Sequence, residues 1–206
     1  MMYCSAWARL PRLLCWRWRA ENRIMQASTD GPTGRPPLVC VVGRSRSGKT
    51  TLIERLIPLL RERGYRIGTI KHHAHPAFDF DVPGKDSWRH AQAGSEHVII
   101  ASPGKIGSVE QVKGDPPLLE LIQRMNGVDL IIAEGYHWEM WPKVEVLRSE
   151  RSKDLRCDPA ELSAVVTDLA LDLPIPVFTF DQMDEFVDWI ELTFFQVGHL
   201  EGEDSA

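Results

Sequence analysis

Leu38-Val39-Cys40-Val41-Val42 runs directly into Gly43-Arg44-Ser45-Arg46-Ser47-Gly48-Lys49-Thr50, and the join between the two decides the fold. The first five residues are apolar and rich in valine, with no polar alternation, as in a strand buried on both faces of a parallel sheet. The next eight match G-x-x-x-x-G-K-[ST] in full. Gly43 lets the chain leave the strand sharply, and Gly48 lets the backbone approach an anion with no Cβ in the way. Consecutive backbone N–H groups of the loop, those of Ser45 and Ser47 included, then converge on a phosphate at the positive end of the following helix. In such a loop Lys49 bridges the β- and γ-phosphates, the Thr50 hydroxyl ligates Mg²⁺, and Thr51 touches the α-phosphate. The plainer alternative is a glycine-rich turn with a surface lysine. A strand ending where the glycines begin, and a periodic helix beginning at the lysine, argue against it.

Outward from this loop, the chain alternates strand and helix. Leu52, Leu56, Leu59 and Leu60 share one face of a helix predicted over 49–63, with Gly64 as its stop. Pro58 removes one hydrogen bond from that helix and is expected to bend it. Strands are predicted at 65–71, 97–102, 129–134, 143–148, 163–167 and 176–180, and helices at 86–93, 117–125 and 184–195. This order predicts an α/β fold: a three-layer P-loop NTPase with a mostly parallel sheet and helices on both faces. One domain is expected over 37–198, after an extension and linker at 1–36 and before an acidic tail at 199–206.

The second buried strand bearing on the loop is Asp129-Leu130-Ile131-Ile132-Ala133-Glu134, followed by Gly135. Ligands of parallel α/β sheets gather at the carboxyl ends of strands, so Glu134 is placed to hold Mg²⁺ or its water; the alternative is a carboxylate that only solvates a strand end. In Phe78-Asp79-Phe80-Asp81 the two acids share one side if the segment is extended, and Asp81 is a candidate metal ligand or water-orienting base; a plain polar turn is the equal alternative on spacing alone. Lys71, Lys85 and Arg89 bring positive charge to the same stretch, which suits a polyanionic ligand; the alternative is a solvated loop and helix face. His72, His73 and His75 have spacing that can bind a metal, yet imidazoles so close in a loop do not easily share one tetrahedral ion. Asp168 ends the strand at 163–167, where a carboxylate can accept from guanine N1 and N2. No full Asn-Lys-x-Asp pattern accompanies it.

The bulk numbers narrow the class. A chain of 206 residues with formal charge −5 lacks the basic surplus of a general nucleic-acid binder. No run approaches the roughly 20 apolar residues of a membrane span. Cys4, Cys15, Cys40 and Cys157 form no CxxC pair, which suits a reducing, cytoplasmic setting, and Cys40 reads as a small buried hydrophobe. Residues 1–24 hold five arginines, Trp7, Trp16, Trp18 and one acid, Glu21. Arg9, Arg12 and Arg17 break every apolar stretch a secretory signal needs. An organelle transit peptide, an unstructured extension, and a start at Met25 remain the three readings.

Several segments together resemble the molybdopterin-guanine dinucleotide biosynthesis protein B family (MobB). They are Gly43–Thr50; Lys71-His72-His73; Phe78-Asp79-x-Asp81; Pro83-Gly84-Lys85-Asp86-Ser87-Trp88-Arg89-His90 with Ala93-Gly94; Glu134-Gly135-Tyr136; and Lys143-x-Glu145-Val146-x-Arg148. The resemblance spans about 37–180, and its Pro-Gly-Lys-Asp-Ser-x-Arg-His run is far more specific than the phosphate loop. It implies a GTP-binding homodimer, a weak GTPase. Its role would be accessory, assisting the guanylyltransferase that attaches GMP to molybdopterin and so forms the guanine dinucleotide. The family's loop residues fall on Gly43, Gly48, Lys49 and Thr50, and its acid on Glu134. Arg46 departs from the smaller residue expected there. In this reading Lys49, Asp81 and Glu134 serve hydrolysis. Gly43, Ser45, Ser47, Gly48, Lys49, Thr50, Thr51, Lys71 and Asp168 hold the nucleotide, while Thr50, Glu134 and Asp81 hold Mg²⁺. Two rivals stand: a P-loop small-molecule kinase or ligase, which needs a second substrate pocket, and a metal-delivery GTPase built on His72, His73 and His75.

Overall fold

The computed structural model describes residues 35–73 and 81–195. Among these, the chain divides into two compact units with boundaries after His72 and after Arg124.

The larger unit is a six-stranded sheet. β1 (Leu38–Val42), β2 (Ile67–Lys71), β5 (Leu130–Glu134), β6 (Lys143–Leu147), β7 (Leu162–Thr167) and β8 (Val177–Phe178) lie in the order β2-β5-β1-β6-β7-β8. Every pairing in it is parallel. The chain passes from β1 outward to β2 on one side and later fills β6, β7 and β8 on the other, so the order reverses at β1, where such sheets bind ligands.

Helices α1 (Lys49–Glu62) and α4 (Met183–Phe194) cover one face. There Val39, Val41, Leu130, Ile132, Val144, Val146, Ala164 and Val166 pack with Leu52, Leu56 and Leu60 of α1 and Phe186, Val187 and Ile190 of α4. Each fully buried leucine or phenylalanine contributes on the order of 1.5–3 kcal/mol, so this face anchors the strand that carries the loop. Pro58 stays inside α1, on its exposed side. Gly64 ends α1 as expected: at φ +94° it donates to Arg61 O while Tyr65 donates to Leu60 O, the paired bonds of a Schellman stop.

The other side of the strands carries buried polar groups, Lys143, Glu145, Ser163 and Thr167, together with Cys40. Glu145 is fully buried and accepts from the backbone N–H of Arg156 (2.6 Å) and of Cys157 (3.0 Å). Lys143 pairs with Glu161 at 2.8 Å. The irregular segment after β6 is therefore bonded onto this face by side chains of the sheet. Cys40 is buried as expected, and burial pushes its thiol up to about 12.

The smaller unit holds α2 (Asp86–Gln92), β3 (His97–Ser102), β4 (Lys105–Glu110) and α3 (Leu118–Gln123). The segment 97–102 is a strand, as its sequence predicts, but it belongs to a separate antiparallel hairpin with β4. Lys105–Glu110 was not expected as a strand. Pro103-Gly104 makes the two-residue turn, with Gly104 at φ +78°. Alternation puts Ile99, Ala101 and Ile106 on one face of the hairpin, and Ile99 and Ile106 are 61% and 74% exposed. Among the described residues, no helix is long and apolar enough to cross a membrane.

Candidate nucleotide site

The turn after β1 is built by residues in conformations that ordinary side chains avoid. Gly43 has φ +137°, and a Cβ placed on it would lie 2.4 Å from Val146 O and 2.8 Å from Ser47 Oγ. The β6 backbone thus forms the floor of the loop, and only glycine fits against it. Gly48 has φ +98°, and Arg46 adopts a left-handed φ of +61°. That conformation costs a residue with a Cβ on the order of 1 kcal/mol. The departure noted at Arg46 is thus a strained one, held by its neighbours.

Lys49 folds back over the loop: its Nζ donates to Gly43 O (3.2 Å) and Arg44 O (2.8 Å). Burial is the main cause holding its pKa below the ordinary lysine value, partly offset by the charge of Glu134. Ser47 is almost fully buried, and its Oγ has no hydrogen-bond partner among the described residues. An orphaned buried hydroxyl costs about 1–3 kcal/mol, so its place in this turn needs a reason beyond packing.

Parallel registry brings the second carboxylate in. Glu134 is level with Val41 of β1 on one side and with Lys71 of β2 on the other. The Thr50 hydroxyl faces both Glu134 oxygens, at 3.0 and 3.1 Å, and can donate to either. Lys71 Nζ lies 3.2 Å from Glu134 Oε2 and 3.4 Å from Thr50 Oγ1. Thr50, Glu134, Lys49 and Lys71, named from separate stretches of sequence, are therefore one group at the carboxyl ends of β5, β1 and β2. Hydroxyl and carboxylate oxygens are the hard donors Mg²⁺ takes, and the glycine cradle with its unbonded Ser47 hydroxyl suits a phosphate. The residues fit a magnesium-bound nucleotide.

Other expected residues stand apart or in different roles. Thr51 is exposed on the first turn of α1 and Ser45 is exposed in the loop. Asp81 belongs to the smaller unit and accepts from the N–H of Val82 at 2.8 Å. Asp79 and His75 lie outside the described residues, and among the described residues no group of three His, Cys, Asp or Glu side chains could hold a metal. Asp168 sits just past β7, where its carboxylate accepts from Ser149 N–H (2.8 Å) and Ser149 Oγ (3.0 Å). The Ser149 backbone bond is the chief cause holding its pKa below the usual carboxylate range.

The sequence reading missed an aromatic group beside Glu134. Tyr136 is buried with a left-handed φ of +53°, and His72 meets Tyr136 and Trp138 edge-on at ring distances of 5.4 and 4.9 Å. His137 stacks edge-on with Trp138 at 4.9 Å, and its Nε2 lies 2.9 Å from Arg156 Nη2. Burial first, and the Arg156 charge second, hold the His137 pKa below its ordinary 6.5. Glu134-Gly135-Tyr136 was visible as a motif, but nothing in it foretold that His72 would join.

The family model for molybdopterin guanine dinucleotide synthesis protein B matches residues 38–168. The chain is 35% identical over 157 residues to the molybdopterin-guanine dinucleotide biosynthesis adapter protein of Haemophilus influenzae, covering 75% of this chain and 88% of that one. To the adapter protein of the same name in Escherichia coli it is 34% identical over 161 residues, covering 75% and 91%. The crystal structure of Bacillus subtilis MobB superposes with a TM-score of 0.63 at 27% identity, covering 77% of this chain and 98% of that one.

Proposed function

The chain belongs to the MobB family, and from that premise we propose that it is a GTP-binding adapter of molybdenum cofactor biosynthesis. In this reading it assists a guanylyltransferase that joins GMP to molybdopterin. A role in molybdenum cofactor biosynthesis follows from the family; the nucleotide, the metal and the partner are the proposal. One observation carries it above the rest. Thr50 and Glu134, 84 positions apart in the chain, meet at 3.0 Å beside the glycine turn. A glycine-rich turn with a merely surface lysine gives no reason for that meeting.

Magnesium bound there supplies charge neutralisation between the phosphates. The chain's own groups do the rest. Lys49 leaves the carbonyls of Gly43 and Arg44 for the β- and γ-phosphates, which accept far more strongly than amide oxygens. The loop N–H groups, with those of Thr50 and Thr51 at the start of α1, hold the remaining oxygens. Glu134 orients the metal or a water. Asp168, ionised and fixed by Ser149, retains lone pairs that can accept from guanine N1 and N2; adenine would leave it unpaired. Hydrolysis is expected to be slow without the partner, in keeping with an adapter in the cytoplasm.

The exposed Ile99 and Ile106 of the hairpin support a homodimer. A two-stranded hairpin has no second sheet to cover both faces, and a second copy of the chain would cover this one.

Calorimetric titration with GTP and Mg²⁺ tests the site. Wild-type protein should bind, while Lys49→Ala should lose at least a hundredfold in affinity with its unfolding midpoint within a few degrees of wild type. Undiminished binding by Lys49→Ala removes the phosphate assignment. A pull-down with the guanylyltransferase tests the adapter role. Rapid turnover of one metabolite with no partner present favours the kinase or ligase reading instead.

A further inference from the structure

Arg148 stands immediately after β6, two residues beyond Val146, whose carbonyl forms the floor under Gly43. That close approach fixes the position of Arg148 relative to the phosphate loop. Its side chain is half-buried, and its guanidinium carbon sits 3.4 Å above the ring of Phe180. Its Nε is 3.6 Å from the place a Cβ on Gly48 would occupy, and the Phe180 ring lies 3.8 Å from that same place. Arg148 and Phe180 thus lie together against Gly48, the residue that caps α1.

What it lacks is a partner. Among the described residues no carboxylate forms an ion pair with Arg148 and no acceptor bonds its guanidinium. Asp168 is near enough to feel its charge, yet no hydrogen bond or ion pair joins the two. Stacking on Phe180 satisfies none of the guanidinium's five N–H donors. A partly desolvated guanidinium with its fork unused, rigidly set against a helix start, is arranged for an anion. Ser47 Oγ, buried and unbonded in the same turn, is a second polar group without a protein partner.

Resting on the nucleotide reading above, we propose that Arg148 is a phosphate ligand of that site, reaching the polyphosphate from the floor of the loop. The nucleotide is then held by Lys49 and Lys71 from one side and by Arg148 from the other, with Phe180 keeping the guanidinium in its plane.

The test compares full-length wild type, Arg148→Ala, Arg148→Met and Arg148→Lys for binding of GTP and GDP with Mg²⁺, and for displacement of GTP by inorganic tripolyphosphate. Arg148→Met keeps apolar packing on Phe180, which separates loss of charge from loss of the fold. Expected results are a loss of about tenfold or more for GTP and GDP in the Ala and Met variants, the same factor for tripolyphosphate, and partial recovery with Lys. Wild-type affinity in Arg148→Met overturns the proposal. So does a loss for GTP with tripolyphosphate unaffected, which would make Arg148 a base or ribose contact. If wild type itself binds neither GTP nor tripolyphosphate, the nucleotide reading fails first, and this inference with it.

Discussion

The loop after β1 and the β3–β4 hairpin are both short glycine-bearing turns attached to strands, and they differ in what surrounds them. Around Gly43 every direction is occupied: the Val146 carbonyl below, Ser47 Oγ beside it, and a wholly buried strand before it. Around Gly104 nothing lies within 4 Å of an added Cβ, and the strands it joins are largely exposed. In the first region, conformation is dictated by contacts within the chain. In the second, the turn chemistry is local and the apolar faces look outward. One region is enclosed by its own sheet, whereas the other leaves Ile99 and Ile106 exposed.

The largest expected effect comes from adding one carbon to each turn. Gly43→Ala should destabilise the protein by about 2–4 kcal/mol in urea unfolding, since its Cβ meets backbone that cannot swing aside. Gly104→Ala pays only for its positive φ, about 1 kcal/mol. Equal costs would erase the contrast. Next, Ile106→Lys should lower the mass measured by light scattering to that of one chain and leave GTP affinity within about twofold. A dimer that survives this change has its interface elsewhere. A smaller effect is expected from Asp168→Ala, which should narrow the ratio of GTP to ATP dissociation constants by several-fold; an unchanged ratio takes Asp168 out of base selection.

The smallest effect concerns His137. Its pKa is lowered in the folded protein, so as pH falls below about 6.5 the unfolded chain takes up a proton that the folded chain resists. Its contribution is complete above that pH and declines as pH drops toward the folded-state value. Urea midpoints at pH 7.5 and 5.5 should therefore differ less in His137→Gln than in wild type. Identical differences would show that other groups set the acid sensitivity.

The same contrast explains what could be read from sequence. The strand–turn–helix from Leu38 through Gly43 and Gly48 to α1 was legible because the glycine spacing and the strand before it are local features of the sequence. Glu134 was legible because a buried apolar run ending in an acid has few places to go in a parallel sheet, and registry with Val41 puts it beside Thr50. Residues 105–110 escaped notice because Lys105, Gly107, Ser108 and Glu110 give a strand whose apolar positions are not buried by its own chain. Pairing of 97–102 with that strand, outside the main sheet, follows from the tight Pro103-Gly104 turn, a signal present but outweighed by the surrounding strand–helix rhythm. Ser149 could not be foreseen as the partner of Asp168, because nothing local in sequence brings the end of β6 to the end of β7. The role of Phe180 beneath Arg148 was hidden for the same reason.

One consequence of the anchored segment after β6 concerns engineering. Ser149 is moored by Asp168 at one end, and Arg156 and Cys157 are moored by Glu145 at the other. Whatever length of chain joins the two moorings, the strand ends beneath them feel little of it, since lengthening a surface connection adds only a slowly growing entropy cost. Residues 150–155 are thus the place to graft a fluorophore-bearing peptide or an affinity handle without loosening the sheet beneath.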